Sequence, residues 1–111
     1  MRNEHQIVNA VHAAKTDPEK ADGLIRDYVP FIRSEATKYM GRLCTDQDDE
    51  YSIAMMAFYE AIMGYERGRG AFLRYAAVCI RSRLIDYSCT EARIRAMFLS
   101  MRKKEMRTAG V

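Results

Sequence analysis

The chain has 111 residues, of which 49% are hydrophobic and 30% charged, enough apolar material for one packed domain and too little bias for a disordered chain. No uncharged stretch approaches the roughly 20 apolar residues that a membrane helix needs, so we predict no membrane insertion. Three cysteines without metal-type pairing argue against a disulfide framework and favour the reducing cytoplasm.

The net charge of +3 is unevenly distributed. Residues 1–65 carry seven Lys and Arg against eleven Asp and Glu, whereas residues 66–111 carry eleven basic residues against four acidic ones. A basic half joined to an acidic half suggests a polyanionic partner on one side only. An exposed helix that uses arginine for solubility gives the same composition, so both interpretations stay open.

The pattern of residues predicts helices throughout. A first helix covers 4–15, and a second segment covers 18–42, with a break near Pro30 because proline does not continue a helix. A third helix covers 48–65, and a basic fourth helix begins near Ala71 and reaches at least Tyr87. We therefore predict an all-α fold, a small helical bundle of about four to five helices, with 1–111 as one domain.

The predicted third helix has two apolar faces. One is an ordinary core stripe, and the other carries methionine and tyrosine beside acidic and small polar residues. The residues of this second face are Asp49, Ser52, Met55, Met56, Tyr59 and Met63. A helix that is apolar all round is either enclosed at the centre of its bundle or covered by a partner, and the sequence leaves both open.

The predicted fourth helix has a core stripe, which includes Phe72, and a basic face. Arg74, Val78, Arg81, Ser82 and Ile85 lie on the basic side, with Tyr75 and Asp86 at its edge. Arginines, a hydroxyl and an aromatic ring on one face suit phosphates and unstacked bases. The preceding loop adds Arg67 and Arg69 between glycines, an arrangement that suits a phosphate chain.

The sequence carries no signature of catalysis. It has no phosphate-binding loop of the nucleotide-hydrolase type, no dinucleotide fingerprint, no zinc-ligand pair and no nucleophile elbow. His5 and His12 lack cysteine or carboxylate companions at ligand spacing. We expect no enzyme activity, no metal and no cofactor.

Several segments, taken in order, resemble region 2 of bacterial RNA polymerase sigma factors, in particular the SigI type. They are the stretches at 24–32, 48–54, 57–62, 70–73 and 83–87, and the resemblance covers about 7–87. It implies a non-catalytic domain that docks on core RNA polymerase, through the clamp helices of the β′ subunit, and that recognises and melts the −10 promoter element on the non-template strand. It also implies an anti-sigma factor as a further partner.

The resemblance assigns a role to each face. Polymerase docking falls to Asp49, Ser52, Met56 and Tyr59. Promoter DNA binding falls to Phe72, Tyr75, Val78, Ser82 and Ile85 for the bases, with Arg74 and Arg81 for the backbone. Arg69 would help to line an adenine pocket, and Arg67 belongs to the same loop.

The chain departs from the family pattern in three places. Val78 and Cys79 stand where housekeeping sigma factors have two tryptophans, and Ser88 and Cys89 replace basic residues of SigI-type relatives. We also expect no C-terminal promoter-binding domain within these 111 residues. Two alternative functions stay open: a helical protein–protein adaptor, such as a module that binds an anti-sigma factor, and an independent regulator that reads duplex DNA with the basic helix.

Overall fold

The structure, a computed structural model, describes residues 3–68 and 70–109, and the side chains among them up to Met97 and at Leu99. Within these residues every regular element is an α-helix, as predicted. The five helices are α1 (Glu4–Ala14), α2 (Pro18–Asp27), α3 (Val29–Met40), α4 (Asp49–Gly64) and α5 (Phe72–Ala109). None of the described helices is both long and apolar enough to cross a membrane.

Local capping explains where the first helices begin. The Asn3 side chain accepts a hydrogen bond from the Gln6 backbone N–H (2.9 Å), and the Gln6 side chain accepts one from the Asn3 N–H (3.0 Å). Asp17 caps α2 through the Glu19 N–H (3.0 Å), with Pro18 at the first helical position. The predicted break in the second segment falls at Tyr28, where α2 ends and α3 follows directly.

The last helix is longer than the sequence alone established. α5 continues without interruption through Ser88, Cys89 and Thr90, although these residues are weak helix formers. A tertiary contact supports this region, because the Tyr39 hydroxyl of α3 and the Ser88 hydroxyl lie 2.8 Å apart. α5 therefore extends past the other helices, and the molecule measures 68 Å along its longest axis.

The core is built around Phe58, which is fully buried in the middle of α4. Its ring lies 5.9 Å from Tyr28, 6.3 Å from Phe31 and 5.6 Å from Phe72, measured between ring centroids. The last contact is edge-to-face, at an interplanar angle of 82°. Tyr65 closes the cluster with a second edge-to-face contact to Phe72 at 5.3 Å. Helices α2 to α5 thus meet at one aromatic centre.

We predict that Phe58→Ala lowers the free energy of unfolding by about 3–5 kcal/mol, because it removes a fully buried ring and leaves a cavity. The matched control is Tyr59→Ala at the next residue, which is 45% exposed and should cost less than about 1 kcal/mol. Urea unfolding followed by circular dichroism measures both. Equal losses would contradict this account of the core.

Candidate functional site

The second apolar face of α4 is open to solvent. Met56 is 64% exposed, Tyr59 45% and Met63 37%, while Met55 is half-buried. Asp49 and Ser52, on the same face, are exposed. Of the two interpretations that the sequence left open, the structure excludes the enclosed central helix, because the described part of the chain does not cover these side chains.

The acidic segment before α4 has a structural role at Asp48. Its carboxylate accepts hydrogen bonds from Arg42 (3.1 and 3.3 Å), from the Thr45 N–H (2.9 Å) and from the Thr45 hydroxyl (3.1 Å). These donors stabilise the ionised form and lower the pKa of Asp48 to about 2, the Arg42 hydrogen bond being the largest cause. Asp48 therefore holds the loop closed on itself rather than facing a partner.

Asp49, one residue later, has a different environment. It is the first residue of α4, and its carboxylate accepts a hydrogen bond from the Tyr87 hydroxyl of α5 at 3.1 Å. The same hydrogen bond raises the pKa of Tyr87, because it favours the protonated phenol beside an anion. The residue assigned to polymerase docking is therefore held by a side chain of the basic helix.

The predicted basic face of α5 is exposed. Arg74, Arg81 and Ser82 are exposed, and Val78 and Ile85 are 62% and 45% exposed. Tyr75, at the edge of this face, is half-buried, with its ring 5.7 Å from that of Tyr65. The five residues of the face thus offer cationic, hydroxyl and apolar groups along one side of a single helix.

The structure corrects one residue of the predicted DNA-binding set. Phe72 is fully buried, with its ring packed against Phe58 and Tyr65, so it is not presented to a nucleic acid. Its place on the core stripe decides its position, since exposing this ring would open the aromatic centre. Its backbone N–H, at the start of α5, donates to the Glu4 carboxylate of α1 (3.1 Å), which satisfies a helix terminus with an anion.

The loop between α4 and α5 is fixed by contacts at both ends. The Tyr65 hydroxyl donates to the Gly70 carbonyl at 2.6 Å, and Arg67 donates to the Asn9 side chain of α1 at 3.1 Å. Gly68 and Gly70 have φ angles of 90° and 87°, which residues other than glycine rarely adopt. Arg67 is exposed but already bonded within the chain. Arg69, also predicted to bind DNA, lies outside the described residues.

A groove between α4 and α5 was not predicted. Its volume is about 290 Å³, and it is lined by Ile53, Met56, Glu60, Arg83, Asp86, Tyr87 and Thr90. Arg83 donates to Glu60 at 2.6 and 2.9 Å across one end. The short loop between α4 and α5 is a sequence signal for this groove. A short loop makes consecutive helices antiparallel neighbours, and this brings the start of α4 beside the middle of α5.

Comparison with known proteins shows which family this chain belongs to. The family model described as sigma-70 region 2 matches residues 24–94, from α2 well into α5. The chain belongs to the sigma-70 region 2 family. Over 82 residues it is 41% identical to RNA polymerase sigma factor SigI7 of Acetivibrio thermocellus, covering 73% of this chain and 35% of the relative. Over 101 residues it is 36% identical to RNA polymerase sigma factor SigI of Bacillus anthracis, covering 90% of this chain and 42% of the relative.

These matches confirm the resemblance to region 2 of SigI-type sigma factors. Both faces described above, on α4 and on α5, lie within the matched residues. The family also confirms that the chain is not an enzyme, because region 2 is a non-enzymatic part of a transcription initiation factor. The aligned part of the chain corresponds to less than half the length of these two relatives.

We predict that the stabilising effect of Asp48 depends on pH. Its lowered pKa means that the ionised form stabilises the fold above pH 4, and that this stabilisation is lost as the pH falls towards about 2. The variant Asp48→Asn should be less stable than the wild type at pH 7, and the difference should shrink as the pH falls from 5 to 2. Urea unfolding across this range measures it.

The control for this prediction is Asp22→Asn, which removes a largely exposed ion pair with Arg26 on α2. Exposed pairs of this kind stabilise little, so its effect should be small at every pH. A constant difference between wild type and Asp48→Asn across the range would contradict the role given to Asp48.

Proposed function

We propose that this chain is the part of an RNA polymerase sigma factor that docks on the polymerase with α4 and engages promoter DNA with α5. One observation carries the proposal: a region 2 domain presents an open acidic and apolar face on α4 and an open basic face on α5. The acidic and apolar face of α4 suits a protein partner, and the basic face of α5 suits DNA. The mechanism is binding alone.

The docking partner is core RNA polymerase, through the clamp helices of its β′ subunit. The contacts are made by Asp49, Ser52, Met56 and Tyr59, which lie together on the open side of α4. Methionine and tyrosine are enriched at protein interfaces, where their large flexible or flat side chains bury much apolar surface. An anti-sigma factor that covers this face would compete with the polymerase.

The DNA partner is the non-template strand of the −10 promoter element. Val78, Ser82 and Ile85 would contact unstacked bases, while Arg74 and Arg81, two turns apart, would bind phosphates. The half-buried Tyr75 borders this surface, and Arg67 and Arg69 belong to the loop beside it. Because no tryptophan is present, base capture here relies on aliphatic and hydroxyl contacts rather than on indole stacking.

The proposal treats residues 1–111 as one region 2 domain that acts in the cytoplasm, where polymerase and promoter DNA are found. The adaptor and the duplex-reading regulator remain the alternatives that the experiments below distinguish. An adaptor would tolerate loss of the α5 arginines, and a duplex reader would not need polymerase.

We predict that immobilised core RNA polymerase retains the wild-type chain. Asp49→Ala and Met56→Glu should each raise the Kd for the polymerase at least ten-fold, while circular dichroism shows that both variants are folded. Met56 is 64% exposed, so a glutamate at this position should not unfold the protein. Ser34→Ala, at an exposed position on α3, is the control and should bind normally. A folded wild type that is not retained would refute the polymerase proposal.

We predict that replacing Arg74 and Arg81 together by alanine weakens DNA binding without changing polymerase binding. The probe is a fluorescent, A- and T-rich single strand of fifteen nucleotides, added to the chain bound to core polymerase. The affinity should fall about ten-fold, and the dependence of log K on log salt should become shallower by roughly 0.7 for each lost phosphate contact. Arg26→Ala on α2 is the matched control, and an unchanged salt dependence in the double variant would contradict the proposal.

A further inference from the structure

The groove between α4 and α5 adjoins the face that we assign to the polymerase. Its floor on α4 contains Ile53, which is half-buried, and Met56, which is 64% exposed and already belongs to the docking face. The opposite wall is formed by α5 through Asp86, Tyr87 and Thr90. A partner that covers Met56 therefore meets the wall on α5 as well.

The charges around the groove are acidic. At one end Glu60 and Arg83 neutralise each other through their ion pair at 2.6 Å. Among the described residues, the exposed carboxylate of Asp86 lines the groove, and that of Asp49 lies beside it, where it accepts a hydrogen bond from the hydroxyl of the groove residue Tyr87. An apolar floor with an acidic rim is complementary to an apolar side chain flanked by lysine or arginine.

The side of α5 that lines the groove continues to carry apolar residues beyond Thr90. At 100° per residue, Ile94 and Met97 follow Thr90 on one side of the helix, and they are 49% and 64% exposed. Thr90 and Met97 are separated by about 10 Å along the axis. Ala92, also exposed, lies on the opposite side, in line with Arg74 and Arg81. The surface thus suits an extended helical partner, and it is separate from the basic face.

We propose that the polymerase-docking surface includes the α4–α5 groove, which receives an apolar side chain from a basic, amphipathic helix of the polymerase clamp. This inference rests on the proposed function and extends it from one helix to two. Asp86 and Thr90 become docking residues. Tyr87 becomes a positioning residue, because its hydroxyl fixes the Asp49 carboxylate at the edge of the groove.

The decisive experiment compares two variants that introduce the same large side chain on opposite sides of α5 and measures their binding to the polymerase. Thr90→Tyr fills the groove, whereas Ala92→Tyr, two residues away, projects from the opposite side. We expect Thr90→Tyr to weaken binding to immobilised core polymerase at least ten-fold and Ala92→Tyr to leave it within two-fold, with both variants folded by circular dichroism.

Two further variants test the acidic rim and the positioning role. Asp86→Lys should weaken polymerase binding at least ten-fold, while Asp22→Lys, an equal charge change on α2, should not. Tyr87→Phe should weaken binding by several-fold in the wild-type background and have no further effect in the Asp49→Ala background, because the hydroxyl acts through that carboxylate. A structural effect of Tyr87 would be the same in both backgrounds.

The outcomes separate this inference from the proposed function. If Asp49→Ala and Met56→Glu lose binding while Thr90→Tyr and Asp86→Lys bind normally, the groove inference is wrong and the α4 docking surface stands. If Thr90→Tyr and Ala92→Tyr weaken binding equally, the effect is not confined to the groove and the inference is also overturned. A folded wild type that does not bind core polymerase overturns both.

Discussion

The packing of Phe58 against Phe72 determines how α4 and α5, the two helices that carry the candidate site, are oriented relative to each other. These two fully buried rings meet edge-to-face at 5.6 Å and lock α4 and α5 together as antiparallel neighbours. Once this pair is fixed, the exposed side of α4 and the basic side of α5 are determined by helical geometry. Tyr28 and Phe31 add their rings to Phe58 from the α2–α3 junction and from α3, so the same aromatic centre sets the support behind the two helices.

The acidic residues before α4 show how adjacent side chains of one type acquire different roles. Asp48 is surrounded by donors from Arg42 and Thr45 and serves the loop. Asp49 begins the helix and faces Tyr87 of α5. The difference follows from the turn of the backbone at the helix start, which points successive side chains in different directions. A negative charge at an α-helix N-terminus is favourable in either position, so capping accounts for the acidic composition but not for the division of roles.

In the function proposed here, the face for the polymerase and the face for DNA lie on one packed pair of helices, α4 and α5. The Asp49–Tyr87 hydrogen bond and the Glu60–Arg83 ion pair cross directly from α4 to α5. Exposed pairs of this kind contribute little free energy individually, and the buried rings carry the stability. Their effect is geometric, since they hold side chains on the face of α4 that we propose for docking in a fixed position relative to α5. The proposed function depends on the placement of these two surfaces and on no chemical group in an activated state.

The sequence by itself determined the elements and their faces. The hydrophobic periodicity and the caps place α4 at 48–65, against Asp49–Gly64 in the structure, and the periodicity also groups the residues of the methionine face and of the basic face. The periodicity could not decide between a covered and an open methionine face, nor whether α5 continued through Ser88, because both depend on neighbours distant in sequence. The family resemblance put Phe72 among the DNA-binding residues, although the periodicity places it on the core stripe of α5, and the aromatic centre shows that the ring is buried. The groove with Asp86 and Thr90 also required tertiary structure, since it exists only when two helices pack in one particular register.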